Sequence, residues 1–188
     1  MKTLKLINGL LPAIAGLLLS SGVSAQNFSV ATNVLDYVNM GTMNIEASCG
    51  IARQWTLSAG MKYNPFSYTG ESGTYALRQR SIDAGARFWP WHIYSGWWMA
   101  GKLKWQEYNQ GGIKTPRSTE GDRFGGSLSA GYTFMLHTHL NLDVGFGLWG
   151  GYDRYTVYDC LKCGRVVDRG TKNFVLPNDI LLTISYIF

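Results

Sequence analysis

Three groups of residues in this chain could do chemistry. Cys160 and Cys163 form a Cys-x-x-Cys-Gly segment, and a third cysteine, Cys49, stands alone. Paired thiols can serve as a disulfide, a redox couple or half of a zinc site. A redox couple needs a thioredoxin-like setting, which this sequence lacks. Zinc needs more ligands, and His92, His137 and His139 all fall near short turns at the other end of the molecule. In an exported protein the expectation is a local Cys160–Cys163 disulfide, with Cys49 a small apolar residue. The histidines have no serine or carboxylate beside them in sequence to build a nucleophile–base–orienter set. No enzyme activity, metal or cofactor is therefore expected. The third group is a series of well-separated charges: Glu46, Lys62, Asp83, Arg87, Lys102, Lys104, Arg123, Asp143 and Asp179.

The pattern around those charges says what positions them. Consecutive residues of a strand point to opposite faces, so strict alternation means two different surroundings. Met43, Ile45, Ala47, Cys49 and Ile51 alternate with Asn44, Glu46, Ser48 and Gly50. Trp55, Leu57, Ala59, Met61 and Tyr63 alternate with Thr56, Ser58, Gly60, Lys62 and Asn64. The same rhythm runs through 81–88, 97–106, 123–133, 140–149 and 179–188, and less clearly near 28–37, where Ser29, Ala31 and Asn33 oppose Phe28, Val30, Thr32 and Val34. These segments predict eight strands. Every charge in the series falls on the polar face. Charges sharing an enclosed interior must pair, because an isolated one is heavily penalised. Asp83 and Arg87 read as members of lumen salt bridges rather than as an acid–base catalyst.

The chain begins with Lys2 and Lys5, an apolar run over 10–19 and small residues ending in Val23-Ser24-Ala25. That order predicts a signal peptide, 1–25, cut after Ala25. The apolar run is short for a membrane-spanning helix. No Cys stands at the cut to carry a lipid. Of 17 Lys+Arg and 12 Asp+Glu, removing Lys2 and Lys5 leaves 15 − 12 = +3, too little to argue for nucleic acid. Charged residues make up 15% against 14% aromatic. A soluble domain carries about a quarter charged residues, so something other than water is expected against much of the surface.

The expected fold is therefore all-β: an eight-stranded antiparallel up-and-down transmembrane β-barrel over 26–188. Its strands are near the ~9–11 residues needed to cross a bilayer at a tilt. Connections near 52–54, 89–92 and 135–138 are short, and those at 64–76, 109–121 and 153–175 read as long external loops. Trp55, Phe88, Trp89, Trp91, Tyr132, Phe134 and Phe188 then collect at one rim, and Tyr63, Trp105, Phe124 and Tyr152 toward the other. A lipocalin-like soluble barrel is the alternative, with its apolar face turned inward.

The final stretch, with Leu182, Ile184, Tyr186 and Phe188 on one face, resembles the C-terminal sorting signal read by the barrel-assembly machinery. The mature chain also resembles a family of Bacteroidetes-type outer-membrane barrels known as a domain of unknown function. The resemblance rests on Ala31-Thr32-Asn33-Val34-Leu35, Trp55-Thr56-Leu57, Tyr63-Asn64-Pro65-Phe66, Ala86-Arg87-Phe88-Trp89, Tyr152-Asp153-Arg154-Tyr155 and Cys160-Leu161-Lys162-Cys163-Gly164. It implies a barrel of the OmpA/OmpX transmembrane type and no established activity. The expected role is structural or surface-interacting, with outer-membrane lipids including lipopolysaccharide as neighbours and a surface protein or glycan as a possible partner. Lys162, Arg165, Arg169 and Lys172 are the residues placed to meet lipopolysaccharide phosphates, and the 152–158 segment to meet a glycan or protein. The alternative is a small channel, although eight strands leave an interior that side chains fill. An enzyme on this scaffold ranks third.

Overall fold

The computed structural model describes residues 27–38, 41–70, 73–111, 117–160 and 164–188, without the side chains of 68–70, 73–75 and 178–179. The chain alternates strand and turn: β1 (Phe28–Asn33), α1 (Val34–Val38), β2 (Met43–Ala52), β3 (Trp55–Asn64), β4 (Ser67–Gly70), β5 (Gly73–Phe88), β6 (Gly96–Gly111), β7 (Ser118–His137), β8 (Leu140–Tyr158) and β9 (Val166–Ile187). Neighbours pair antiparallel. β1 pairs with β9 through Ser29↔Ile187 to Asn33↔Thr183, which closes the sheet into a barrel. β3 and β4 both pair with β5 and act as one interrupted stave, so the barrel has eight staves. The expected fold class is present.

The two faces fall as the alternation requires. Ile45, Leu57, Met61, Ile82, Met99, Leu103, Leu128 and Phe146 point outward and are exposed, Leu128 to 74%. Ser29, Thr56, Ser58, Ser81, Ser127, Thr133, Asn141 and Asp143 point inward and are buried. This polarity overturns the lipocalin-like alternative, in which the apolar face fills the interior. Trp98 and Trp149 occupy the lumen at 1% and 3% exposure. Glycines make their room: a Cβ on Gly131 would lie 2.5 Å from the Trp98 ring. On the outward face a Cβ on Gly126 would meet nothing within 4 Å.

Three expectations about local structure are corrected. The first strand stops at Asn33, and residues 34–38 are helical. Asn33 causes the change by taking the Leu35 N–H on its Oδ1 at 3.3 Å, a helix-entry cap. The stretches read as long loops are mainly strand. β8 runs on to Tyr158 and β9 starts at Val166, so most of 153–175 is a paired ribbon standing above the barrel. β6–β7 and β4–β5 extend in the same way. The reason is that Thr, Tyr and Val keep alternating beyond the apolar band, and cross-strand pairing satisfies their backbone groups.

The third correction concerns the turn between β5 and β6. It reads as a rim of aromatics, yet residues 89–95 fold back into the barrel mouth. Trp89, Ile93 and Tyr94 are buried with Trp98 and Ile187 in one apolar cluster. Trp89 therefore leaves the rim, and its indole N–H donates to Thr56 Oγ1 at 3.1 Å. Trp91 remains exposed. The fold-back needs left-handed backbone at Tyr94 (φ 63°) and Gly96 (φ 73°). A non-glycine residue adopts that conformation only when its surroundings hold it. Here Asn141 Nδ2 donates to the Tyr94 carbonyl at 2.7 Å, and Ile93 N–H to the Arg53 carbonyl at 3.2 Å.

Candidate functional site

Above the plugged mouth, the lumen holds an ion network. Arg87 donates from Nη1 to Asp143 Oδ2 at 3.0 Å and from Nη2 to Glu46 Oε1 at 3.2 Å. Lys102 Nζ donates to the other Glu46 oxygen at 2.6 Å and to Asp83 Oδ1 at 2.9 Å. Thr133 donates to Asp143 Oδ1 at 2.6 Å. Five strands are thereby tied across the lumen. The Arg87 guanidinium lies 4.3 Å from the Trp98 ring centroid, a desolvated cation–π contact. Every ion has an opposite partner, which is what makes buried charge tolerable.

The remaining lumen charges have contacts of their own. Lys62 pairs with Asp36 of α1 at 2.8 Å. Lys104 lies 4.6 Å above the Trp149 ring. Arg123 Nε donates to Asp153 Oδ2 at 3.2 Å near the ribbon end. Asp153 is fully buried and also accepts from the Tyr108 hydroxyl at 2.9 Å. Tyr108 stands three residues beyond Trp105, past the outer aromatic row. Burial, with the Asp153 carboxylate beside it, pushes this hydroxyl up to about 12, so it remains a donor at neutral pH. Asp179 lies outside the described side chains. Eight of the nine lumen charges read from the sequence thus point inward: five in one hydrogen-bonded network, Lys62 and Lys104 on the same cavity, and Arg123 toward the ribbon.

Asp36, Tyr108 and Asp153 are partners that the sequence reading missed. Asp153 was detectable, because Trp149, Gly151 and Asp153 continue one alternating face. Asp36 was not, because helix α1 rather than a strand carries it inward. Between the plug and the Arg123–Asp153 pair the lumen keeps a cavity of about 50 Å³ lined by Glu46, Asp83, Arg87 and Lys102. That is room for a few waters and no larger solute. The indole nitrogens of Trp98 and Trp149 are buried without a partner among the described residues, and such groups are commonly satisfied by internal water.

The other candidates stay apart from the network. His92, His137 and His139 sit at the turn end, where His139 Nδ1 is 2.9 Å from the Ile187 carbonyl and His137 Nδ1 is 3.1 Å from the Thr138 hydroxyl. Among the described residues no group of three His, Cys, Asp or Glu is placed to hold a metal. Cys49 is free on the outward face. Cys160 stands at the tip of the β8–β9 ribbon, and Cys163, with their pairing, lies outside the described residues, as does Lys162. Lys172 leans inward over Tyr155, 4.9 Å from its ring, and Arg169 faces outward. Leu182, Ile184, Tyr186 and Phe188 share the outward face at the closing seam, where Phe188 N–H donates to the Phe28 carbonyl at 2.9 Å.

A closed barrel with an ion-paired interior, an apolar exterior and one plugged mouth defines the class. Within that class the chain belongs to the DUF3575 family, proteins of unknown function, whose model matches residues 12–188. No curated protein matches it.

Proposed function

We propose that this protein is an integral outer-membrane barrel, exported by a signal peptide cleaved after Ala25, with a structural or surface-interaction role. The Bacteroidetes-type, OmpA/OmpX-like kinship read from the sequence belongs to the same proposal. One observation carries it: charge is gathered inside while the outward face between two aromatic rows is apolar. On β6, Trp97 and Trp105 stand eight residues apart, roughly 26 Å along the strand and roughly 20 Å in height at the ~35–45° tilt of such barrels, near their ~25 Å apolar belt. The pairs Trp97–Tyr132 and Phe124–Tyr152 belong to the two rows, and such rings suit membrane interfaces. The ribbons above the band supply any specificity toward a surface protein or glycan. Fractionation should recover the chain in the outer membrane, with gel mobility that changes on boiling. Soluble periplasmic protein with one mobility would refute the proposal.

Passage of solutes is disfavoured by the 50 Å³ cavity and the 89–95 plug. Planar bilayers should therefore show no steady conductance. The assembly machinery is the expected partner during insertion. Deleting Phe188 removes its contacts with Phe28 and Tyr186 at the seam. We expect slower assembly and periplasmic accumulation, read by pulse-chase; wild-type insertion kinetics would make the terminal aromatic incidental.

The ribbon tip gives a separate expectation. A Cys160–Cys163 bond closes a very short ring, so it contributes little to global stability. Cys160→Ser with Cys163→Ser should leave the barrel intact and raise proteolysis between Tyr158 and Val166. The flanking strands are already tied by Asp159 N–H to the Arg165 carbonyl at 3.1 Å. Mass spectrometry of unreduced protein should find the two cysteines joined; two alkylatable tip thiols would sink the pairing.

A further inference from the structure

The outward face of the β8–β9 ribbon carries an arrangement that neither the anchor nor the lumen uses. Arg154 lies directly opposite Thr171, and Thr156 directly opposite Arg169. Two guanidiniums and two hydroxyls thus occupy the corners of a square, with like groups on the diagonals. Directly opposite Cβ atoms are about 5 Å apart and diagonal ones about 7–8 Å, within reach of two arginines converging on one small group. Arg154, Arg169 and Thr171 are exposed, and all four residues line one open depression of about 360 Å³, whose β7 wall carries Glu120 and Asp122. Neither arginine makes an ion pair among the described residues.

We infer that Arg154, Thr156, Arg169 and Thr171 form a binding site for a phosphate monoester on a lipid headgroup. This rests on the membrane reading above. Forked guanidiniums bind phosphate bidentately, and hydroxyls donate to its remaining oxygens. Height argues for a lipid rather than a soluble source. Arg154 is two residues and Thr156 four residues beyond Tyr152 of the outer aromatic row. Two residues advance roughly 7 Å along a strand, and the headgroup layer is roughly 5–8 Å thick on each side. The Arg154–Thr171 pair therefore stands at headgroup level, and the Thr156–Arg169 pair, roughly 13 Å along the strand from Tyr152, stands at its outer edge. Its approach is directional. Asp122 lies opposite Arg154 and Glu120 opposite Thr156 on β7, so that flank repels an anion. The β9 flank is open, because β1 pairs with β9 only from Thr183 onward.

The test uses the full mature protein reconstituted in phosphatidylcholine vesicles, with tryptophan quenching by brominated lipids as the readout. Brominated phosphatidic acid carries the monoester; brominated phosphatidylcholine is the reference. We expect about fivefold preference for phosphatidic acid, the size of two exposed arginine–phosphate contacts. Arg154→Gln with Arg169→Gln should reduce the preference to unity. Arg78→Gln with Arg80→Gln, on β5, should retain it. Excess inorganic phosphate should leave it unchanged. Equal quenching of the wild type by both lipids, persistence of the preference in the Arg154/Arg169 variant, or its loss to free phosphate would overturn the site. No quenching by either lipid would instead overturn the membrane reading itself.

Discussion

Leu128→Arg is expected to destabilise the barrel by ~2–4 kcal/mol, the cost of a cation at mid-membrane. Leu128 is four residues from Phe124 in the outer aromatic row and four from Tyr132 in the inner one. At 74% exposed it touches little protein. Were water its neighbour, the same change would stay within about 0.5 kcal/mol, the usual range for surface substitutions. The size of the effect therefore reports the solvent, not the packing. Val166→Arg provides the control, because Val166 is 46% exposed but lies on the ribbon beyond the band. Denaturant unfolding in vesicles should lower the midpoint for Leu128→Arg and leave it for Val166→Arg. Equal midpoints would mean that the apolar face does not meet lipid.

Arg87→Met is expected to cost more, about 3–5 kcal/mol, because it strands buried carboxylates. Arg87 serves Glu46 and Asp143 at once, and Lys102 already divides itself between Glu46 and Asp83. Arg87 is the cation that pairs with Asp143 among the described ion pairs, and the Asp143 side chain is 6% exposed. Asp143→Asn added to Arg87→Met removes one of the stranded charges and should recover part of the loss. The pair should thus couple by more than 1 kcal/mol, as contacting buried charges do. Midpoints of denaturant unfolding for the two single variants and the double variant decide it. Strict additivity would show that Arg87 acts through its stacking on Trp98 rather than through the ions.

These two experiments probe features of different legibility. The outward position of Leu128 follows from local geometry. Each residue of a strand reverses the side-chain direction, so faces can be assigned without knowing which strands pair. The inward position of Arg87 follows in the same way. Its partners do not: Glu46 and Asp143 are remote in sequence, and their meeting depends on barrel closure and register. The ribbon strands were obscured for another reason. Polar residues beyond the apolar band look like loop once the contrast between faces fades, although Arg154, Thr156, Arg169 and Thr171 keep the two-residue rhythm.

The sequence by itself determined the staves, their two faces and the segregation of charge from apolar surface, because a two-residue period is a property of the backbone alone. Only the tertiary structure decided that the Trp89–Ser95 turn enters the mouth. Trp89-Pro90-Trp91 has the composition of an exposed rim, and its burial depends on Ile187, Thr56 and Asn141, brought there from three other strands. The same holds for Asp36, carried inward by the Asn33-capped helix to meet Lys62. A side chain's direction is local physics, whereas its partner is chosen by closure of the whole sheet.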